Sequence, residues 1–427
     1  MKFEAINRQR IIYTSGASGK TPLVPVTPQL LEEKAARRMT KEATGYIIGG
    51  AGLGKTMQNN RSAFDQYQIV PRMLKDVSKR DTSITLFGQK FPSPLLTAPV
   101  GVLEMVHKRA DLAVAEATSS LGVPMIFSNQ ASYPMEACAS LMGNNPRWFQ
   151  LYWSKSNELV LSFLKRAEAS GCSAIVVTLD TSVLGWRTQD LDLAFLPFLQ
   201  GKGIAQYTSD PVFQQLMDEP IDHQAPEFKP KVTLSLIKNA LRMKKNYPGG
   251  LWKNFSSDRP IKAVKRFVNI YSRDSLTWEN LQFLRKHTQL PLLLKGILHP
   301  DDAQKAIDYG MDGIVVSNHG GRQVDGAIGS FAALPDIVQK VKDQIPVLLD
   351  SGVRSGADML KALAIGAKAV CVGRPYVYGL ALAGAAGVQE VLANLMADFE
   401  LNMALAGCKS VGELGRELLK KPQAFSC

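Results

Sequence analysis

Most of the chemically capable residues in this chain lie in one short stretch, SNHGGRQVD, from Ser317 to Asp325. Of the five histidines, only His319 stands at the end of an apolar run among glycines, with a cation, Arg322, three residues on. Paired glycines let a backbone approach a ligand closely. A base and a guanidinium so near each other suit a substrate that carries both an acidic group and an abstractable proton. A second stretch, GGAGLGKT from Gly49 to Thr56, fits the phosphate-cradling pattern GxxxxGK[ST] at every fixed position. That pattern works where a buried strand enters it and a helix leaves it. Here a charged helical segment enters, and Asn59 and Asn60 make a poor first turn for a supporting helix. A glycine-rich bend is therefore expected, with a nucleotide-binding loop as the rival from another class.

The elements that must position His319 and Arg322 follow from the hydrophobic pattern. From residue 95 onward, eight short apolar runs rich in branched residues recur at 95–100, 124–129, 147–153, 174–180, 290–296, 313–318, 345–350 and 369–374. Helix-length amphipathic stretches separate most of them, the alternation of a parallel α/β fold, and eight such units predict a (β/α)8 barrel. Each run ends in useful groups: Ser128, Gln150 with Tyr152, Thr178, Lys295, Ser317 with His319, Asp350, and Gly373 with Arg374. Active sites of such barrels form at that face, so these residues should converge. Residues 1–94 read as an N-terminal helical arm and 95–427 as the barrel. The connection from Asp180 to Leu290 is out of scale and should hold a packed lid, about 188–265, after the fourth strand.

Composition narrows the classes. The chain has 427 residues, 45% apolar and 21% charged, an ordinary globular balance. No apolar run reaches the length of a membrane span and the N-terminus lacks a signal-peptide core, so an intracellular, cytoplasmic protein is expected. Five scattered cysteines without CxxC spacing suggest neither a disulfide framework nor a metal site. Much of the +12 charge lies in 229–266, where Asp258 is the only acid. It reads as a solvated face or as steering for a small carboxylate; no nucleic-acid motif accompanies it.

The sequence resembles the FMN-dependent L-2-hydroxy acid oxidases and dehydrogenases over nearly its whole length. The likeness rests on SNHGGRQ, on 274–297 (DSLTWENLQFLRKHTQLPLLLKGI), on 350–381 (DSGVRSGADMLKALAIGAKAVCVGRPYVYGLA), and on WFQLY and VVTLDT. It implies the same barrel, and FMN held by Ala98, Pro99 and Val100, by Ser128, Gln150, Thr178, Lys295 and Ser317, and at its phosphate by Asp350, Ser351, Gly352, Arg354, Gly373 and Arg374. On the substrate side it implies a carboxylate held by Arg187 and Arg322 with Tyr46, a hydroxyl bonded by Tyr152, and a proton taken by His319. Tyr46 then gives the glycine-rich bend a purpose, carrying that tyrosine over the substrate. The long lid resembles that of lactate 2-monooxygenases, and Gly101 is the glycine of that type where many relatives have alanine. Ser351 and Gln130 depart from the pattern, the second leaving the substrate's side chain open. The expectation is therefore oxidation of L-lactate by O2 in a homotetramer or larger oligomer, with a plain oxidase releasing the keto acid and peroxide as the alternative.

Overall fold

The computed structural model describes residues 4–220 and 233–421. Eight strands close into a parallel barrel: β1 (Leu95–Thr97), β2 (Met125–Phe127), β3 (Arg147–Leu151), β4 (Ile175–Thr178), β5 (Leu292–Ile297), β6 (Gly313–Val316), β7 (Val347–Leu349) and β8 (Ala369–Val372). They pair in chain order, and β8 returns to β1 with Val370 opposite Leu95 and Val372 opposite Thr97. All eight expected runs are strands. The strands are shorter than the runs, so Tyr152 lies just past β3 and Asp180 just past β4.

Strand side chains alternate, so every second residue enters the barrel. Leu96, Ile126, Trp148, Val176, Leu293, Val315, Leu348 and Cys371 form that interior, while their neighbours pack outward against the helices. Two residues further along each strand, the same inward parity gives Ala98, Ser128, Gln150, Thr178, Lys295, Ser317, Asp350 and Gly373. Apart from Ala98, which only the family resemblance implied, the upper layer of the barrel is thus made of strand-end residues legible in the sequence. Below it, a hairpin (Ile84–Leu86 with Gln89–Phe91) sets the Phe87 and Phe91 rings 5.8 and 6.4 Å from Trp148 and plugs the interior.

The arm wraps the helix that follows β8, Arg374–Leu405. Arg8 pairs with Glu390, and Tyr378 donates to Glu32 at 2.8 Å. This helix is long and apolar enough to cross a membrane by length and composition alone, although Gln389, Glu390 and Asp398 interrupt its apolar run. It bends at Ala383–Gly384, where Gly384 has φ +59°, and most of its residues are buried inside the fold.

The GGAGLGKT stretch corrects one expectation. A helix, Lys55–Asp65, does follow it, but a helix (Lys41–Ile48) rather than a strand precedes it. The end that could bind a phosphate is filled by the Asp325 carboxylate, which accepts from the N–H groups of Leu53 at 2.6 Å and Lys55 at 2.7 Å. Helix N-termini favour anions, and here the chain supplies its own. Thr56 donates its hydroxyl to Val324, and Asn60 exchanges amide bonds of 2.8 and 2.7 Å with Asn318. The supposed poor helix formers are cross-links to the loop after β6. This arrangement removes the nucleotide-binding alternative.

In the lid, Phe198, Tyr207, Phe213 and Phe267 are buried. The Tyr207 ring lies 4.8 Å from Phe267 and 5.1 Å from Phe163, a residue of the helix after β3. The packed part continues through the helix Arg259–Ile270, past the expected limit at 265. Residues 229–232 of the basic run lie outside the described residues. The helix Leu234–Asn246 presents Lys238, Arg242 and Lys245 to solvent, as a solvated face should.

Candidate active site

The ends of the strands surround an opening of about 1160 Å³, counting the part open to solvent. Tyr46, Ala98, Pro99, Val100, Tyr152, Arg187, Lys295, His319, Arg322, Asp350, Ser351, Gly352, Arg354, Gly373 and Arg374 line it. Ser128, Gln150, Thr178 and Ser317 are buried and do not form part of that lining. Residues more than 300 positions apart thus meet, as the strand-end argument required.

His319 sits at φ +57°, a left-handed conformation that costs a side chain of this type about 1–3 kcal/mol. Its N–H donates to Ser317 Oγ at 3.1 Å, and the flanking Asn318 carboxamide accepts from Gly321. The twist turns the ring so that Nδ1 lies 2.7 Å from Asp180 Oδ1. Burial pushes the His319 imidazolium below its usual range, with Lys295 and Arg187 adding to the effect and Asp180 opposing it. Burial would raise Asp180, but His319, through its hydrogen bond and any charge it takes up, and the Lys295 ammonium hold it low. An ionised carboxylate only accepts, so Nδ1 carries the proton and Nε2 presents a lone pair to the cavity. Tyr152 Oη lies 3.5 Å from that Nε2, a contact longer than a good hydrogen bond. Burial keeps the Tyr152 and Tyr46 phenols protonated.

Lys295 is nearly inaccessible. Burial works against its charge, but Asp350 at 3.3 Å and Asp180 at 4.0 Å hold the ammonium well above its ordinary value. It donates to Ser317 Oγ at 2.9 Å. Ser351, where a glycine would have been easier, lies at φ +69°. Its hydroxyl offsets the strain by accepting from Gly320 N–H at 2.9 Å and donating to Asp350 at 2.7 Å, tying the β7 turn to the His319 loop.

Three guanidiniums crowd the opposite wall. Arg187 donates to Gln323 at 3.0 Å, Arg322 to the carbonyls of Tyr46 and Gly49, and Arg374 to those of Ile47, Gly49 and Gly320. Arg322 also lies 4.8 Å over the Tyr46 ring. Burial, then the charge of Arg187, pushes Arg322 down to about 9. Like charges held this close in a half-dry wall favour an anion between them.

Sequence reasoning missed Asp180, Asn129 and Asp325. Asp180 closes the apolar run 174–180, where Thr178 is the residue that lies at the strand's end. Buried Asn129 donates its N–H to Gln150 and accepts from Tyr152 N–H and the lid's Tyr207 hydroxyl. No sequence signal distinguishes it.

An FMN-dependent dehydrogenase model matches residues 35–421. The chain belongs to that family. It is 42% identical over 414 residues to the FMN-dependent alpha-hydroxy acid dehydrogenase qulF of Penicillium citrinum, covering 97% of this chain and 95% of that one. It is 44% identical to an L-lactate oxidase of Lysinibacillus sphaericus, over 89% of each. A crystal structure of mandelate oxidase with (S)-4-hydroxymandelic acid superposes with a TM-score of 0.76 at 35% identity, over 93% of this chain and 98% of that one. The protein is therefore an FMN-dependent oxidoreductase acting on a 2-hydroxy acid, and its fold is the (β/α)8 barrel. The site fits the cofactor: Gln150 Nε2 and Thr178 Oγ1 are buried polar atoms with no partner among the described residues, and they sit at neighbouring strand ends beside Lys295. A buried polar group without a partner is costly, so such atoms mark where a polar ligand edge belongs.

Proposed function

We propose that the substrate is a small L-2-hydroxy acid, L-lactate first, and that the product is held long enough for oxidative decarboxylation to the shorter acid, CO2 and water. The observation that carries the substrate reading is the meeting of His319, Arg187, Arg322, Tyr46 and Tyr152 around one opening, with His319 already oriented by Asp180.

Arg187 and Arg322 grip the carboxylate, a planar anion that suits a guanidinium fork better than an ammonium. The Tyr46 hydroxyl adds a donor, and Tyr152 bonds the substrate's hydroxyl or keto oxygen. Nε2 of His319 accepts a proton, from C2 or from the hydroxyl, while Asp180 stabilises the imidazolium that results. Lys295 would place a fixed positive charge beside the bound ring, where it would stabilise the negative charge that accumulates on reduction. FMN supplies the two-electron acceptor. Ala98, Pro99 and Val100, with Ser128, Gln150, Thr178 and Ser317, would hold its ring; Ser351, Gly352, Arg354, Gly373 and Arg374 would receive its phosphate, while the Asp350 carboxylate, paired with Lys295 at 3.3 Å, would accept from a hydroxyl of the cofactor rather than meet the phosphate.

The lid supports retention of the product, since Phe198 of its packed aromatic cluster lines the opening. A plain oxidase is the second reading, and one observation favours it. A Cβ on Gly101 would lie 3.0 Å from the Cβ and carbonyl oxygen of Gln130, tight enough that Gln130 would have to give, so packing supplies a reason for glycine there besides the chemistry. Purified protein should be yellow and bleach anaerobically with L-lactate; unbleached flavin would sink the lactate assignment. Under air, acetate against pyruvate with peroxide separates the two readings.

A further inference from the structure

A second cleft, about 1030 Å³ on the same measure, adjoins the substrate opening. Only Tyr152 and Thr181 line both, and each carries a hydroxyl. Asp180 lines the second cleft alone. Thr181 Oγ1 is buried without a partner among the described residues, and so is Asp180 Oδ2, the oxygen not used by His319; Lys295 is 4.0 Å from it. The cleft opens past the exposed residues Ser182, Asp274 and Thr277. Buried polar atoms are normally satisfied, and a roomy polar cavity satisfies them with ordered water.

We infer that Tyr152, Thr181 and water in this second cleft form a proton path from His319 to solvent, running behind the substrate rather than through its own cavity. The inference rests on the assignment of His319 as the base. Oxidation of a 2-hydroxy acid to the 2-keto acid removes two electrons and two hydrogens. The electrons and one hydrogen go to the flavin, and the other hydrogen stays as a proton on His319 Nε2. That proton passes to the Tyr152 oxygen as the Tyr152 proton moves to water in the cleft, which the Thr181 hydroxyl holds and relays, leaving hydronium there. His319 returns neutral, its Nδ1–H still donating to Asp180, ready for the next substrate. Burial makes the imidazolium a willing donor near neutral pH. The path matters because the substrate, its product and the lid fill the front.

The test uses the FMN-loaded enzyme in anaerobic stopped flow, in weak buffer with a pH-indicator dye, and whichever 2-hydroxy acid, L-lactate first, bleaches the flavin fastest. Wild type should release one proton per flavin at the bleaching rate, before the keto acid leaves. Thr181→Val should bleach within about threefold of wild type while its proton release slows by about tenfold or more, and Thr181→Ser should restore it. Equal proton release in Thr181→Val, or wild-type release only after product departure, overturns the path. Absent bleaching in wild type with every acid would instead overturn the base assignment. A crystal structure of the wild-type holoenzyme gives a readout independent of turnover and of the variant's folding. Water within hydrogen-bond distance of Thr181 Oγ1 and Asp180 Oδ2 is expected, and a dry cleft refutes the inference.

Discussion

Asp180→Asn isolates the contact that sequence reasoning overlooked. The substitution keeps the shape of the side chain and removes the charge that faces His319 Nδ1 at 2.7 Å. A hydrogen bond to a charged group contributes about 1.5–3 kcal/mol, which is about 10- to 100-fold in rate where it forms fully only as the imidazolium develops. The carboxamide can also donate to Nδ1, moving the ring proton to Nε2 and blocking the lone pair that must accept; loss of the correct tautomer carries the fall toward about 10⁴-fold. The expected kcat loss therefore lies between about 10-fold, if only the charge is lost, and about 10⁴-fold, if the tautomer also shifts. KM should stay within about threefold, because Arg187 and Arg322 form no contact with the altered carboxylate. FMN should be retained, since Lys295 keeps Asp350 at 3.3 Å. The pH profile supplies the second signature. His319 must be neutral, so activity rises with pH through its lowered pKa, with the acid limb below about 6.5. Asp180 is the group that opposes this lowering, so the variant's acid limb should move lower still. Steady-state kinetics from pH 4 to 8 with a flavin spectrum decides it (about that span suffices), and a variant with wild-type turnover and an unmoved acid limb would refute the assignment.

Four further outcomes follow from the geometry. His319→Gln should keep its FMN and lose turnover, and undiminished turnover would remove it as the base. Arg322→Lys loses the planar fork and should raise KM by about 10- to 100-fold, the equivalent of about 1.5–3 kcal/mol; an unchanged KM would place the carboxylate elsewhere. Lys295→Met leaves Asp350 and Asp180 buried without their shared cation, so denaturant unfolding should show a loss of about 3–5 kcal/mol together with weaker FMN retention. Asp325→Ala should lower the melting temperature without creating ATP binding. Burial tends to raise the Asp325 carboxyl, but the backbone N–H groups of Leu53, Lys55 and Thr56 hold it below its usual value. Its contribution is therefore complete above about pH 4 and lost as pH falls through the lowered pKa, and a melting temperature equally depressed in the variant at all pH values would contradict this.

The sequence alone determined the barrel and its upper layer. Short branched runs separated by helical stretches can bury themselves only as parallel strands under helices, and a period of two fixes which residue at each strand end points inward. Lys295, Asp350 and Gln150 were legible for that reason, because their positions follow from local periodicity. What the tertiary structure decided is which groups from other segments come to meet that layer. Asp180, two residues past β4, owes its role to the left-handed turn at His319. Asn129 acquires meaning because Tyr152 and the lid's Tyr207 both arrive at its carboxamide. GGAGLGKT looked like a phosphate loop because the pattern records backbone freedom and side-chain type. Only the fold could bring Asp325, 270 residues beyond Lys55, to fill the helix end with an internal anion. Long-range contacts of this kind depend on chain closure, and no local pattern in a sequence encodes them.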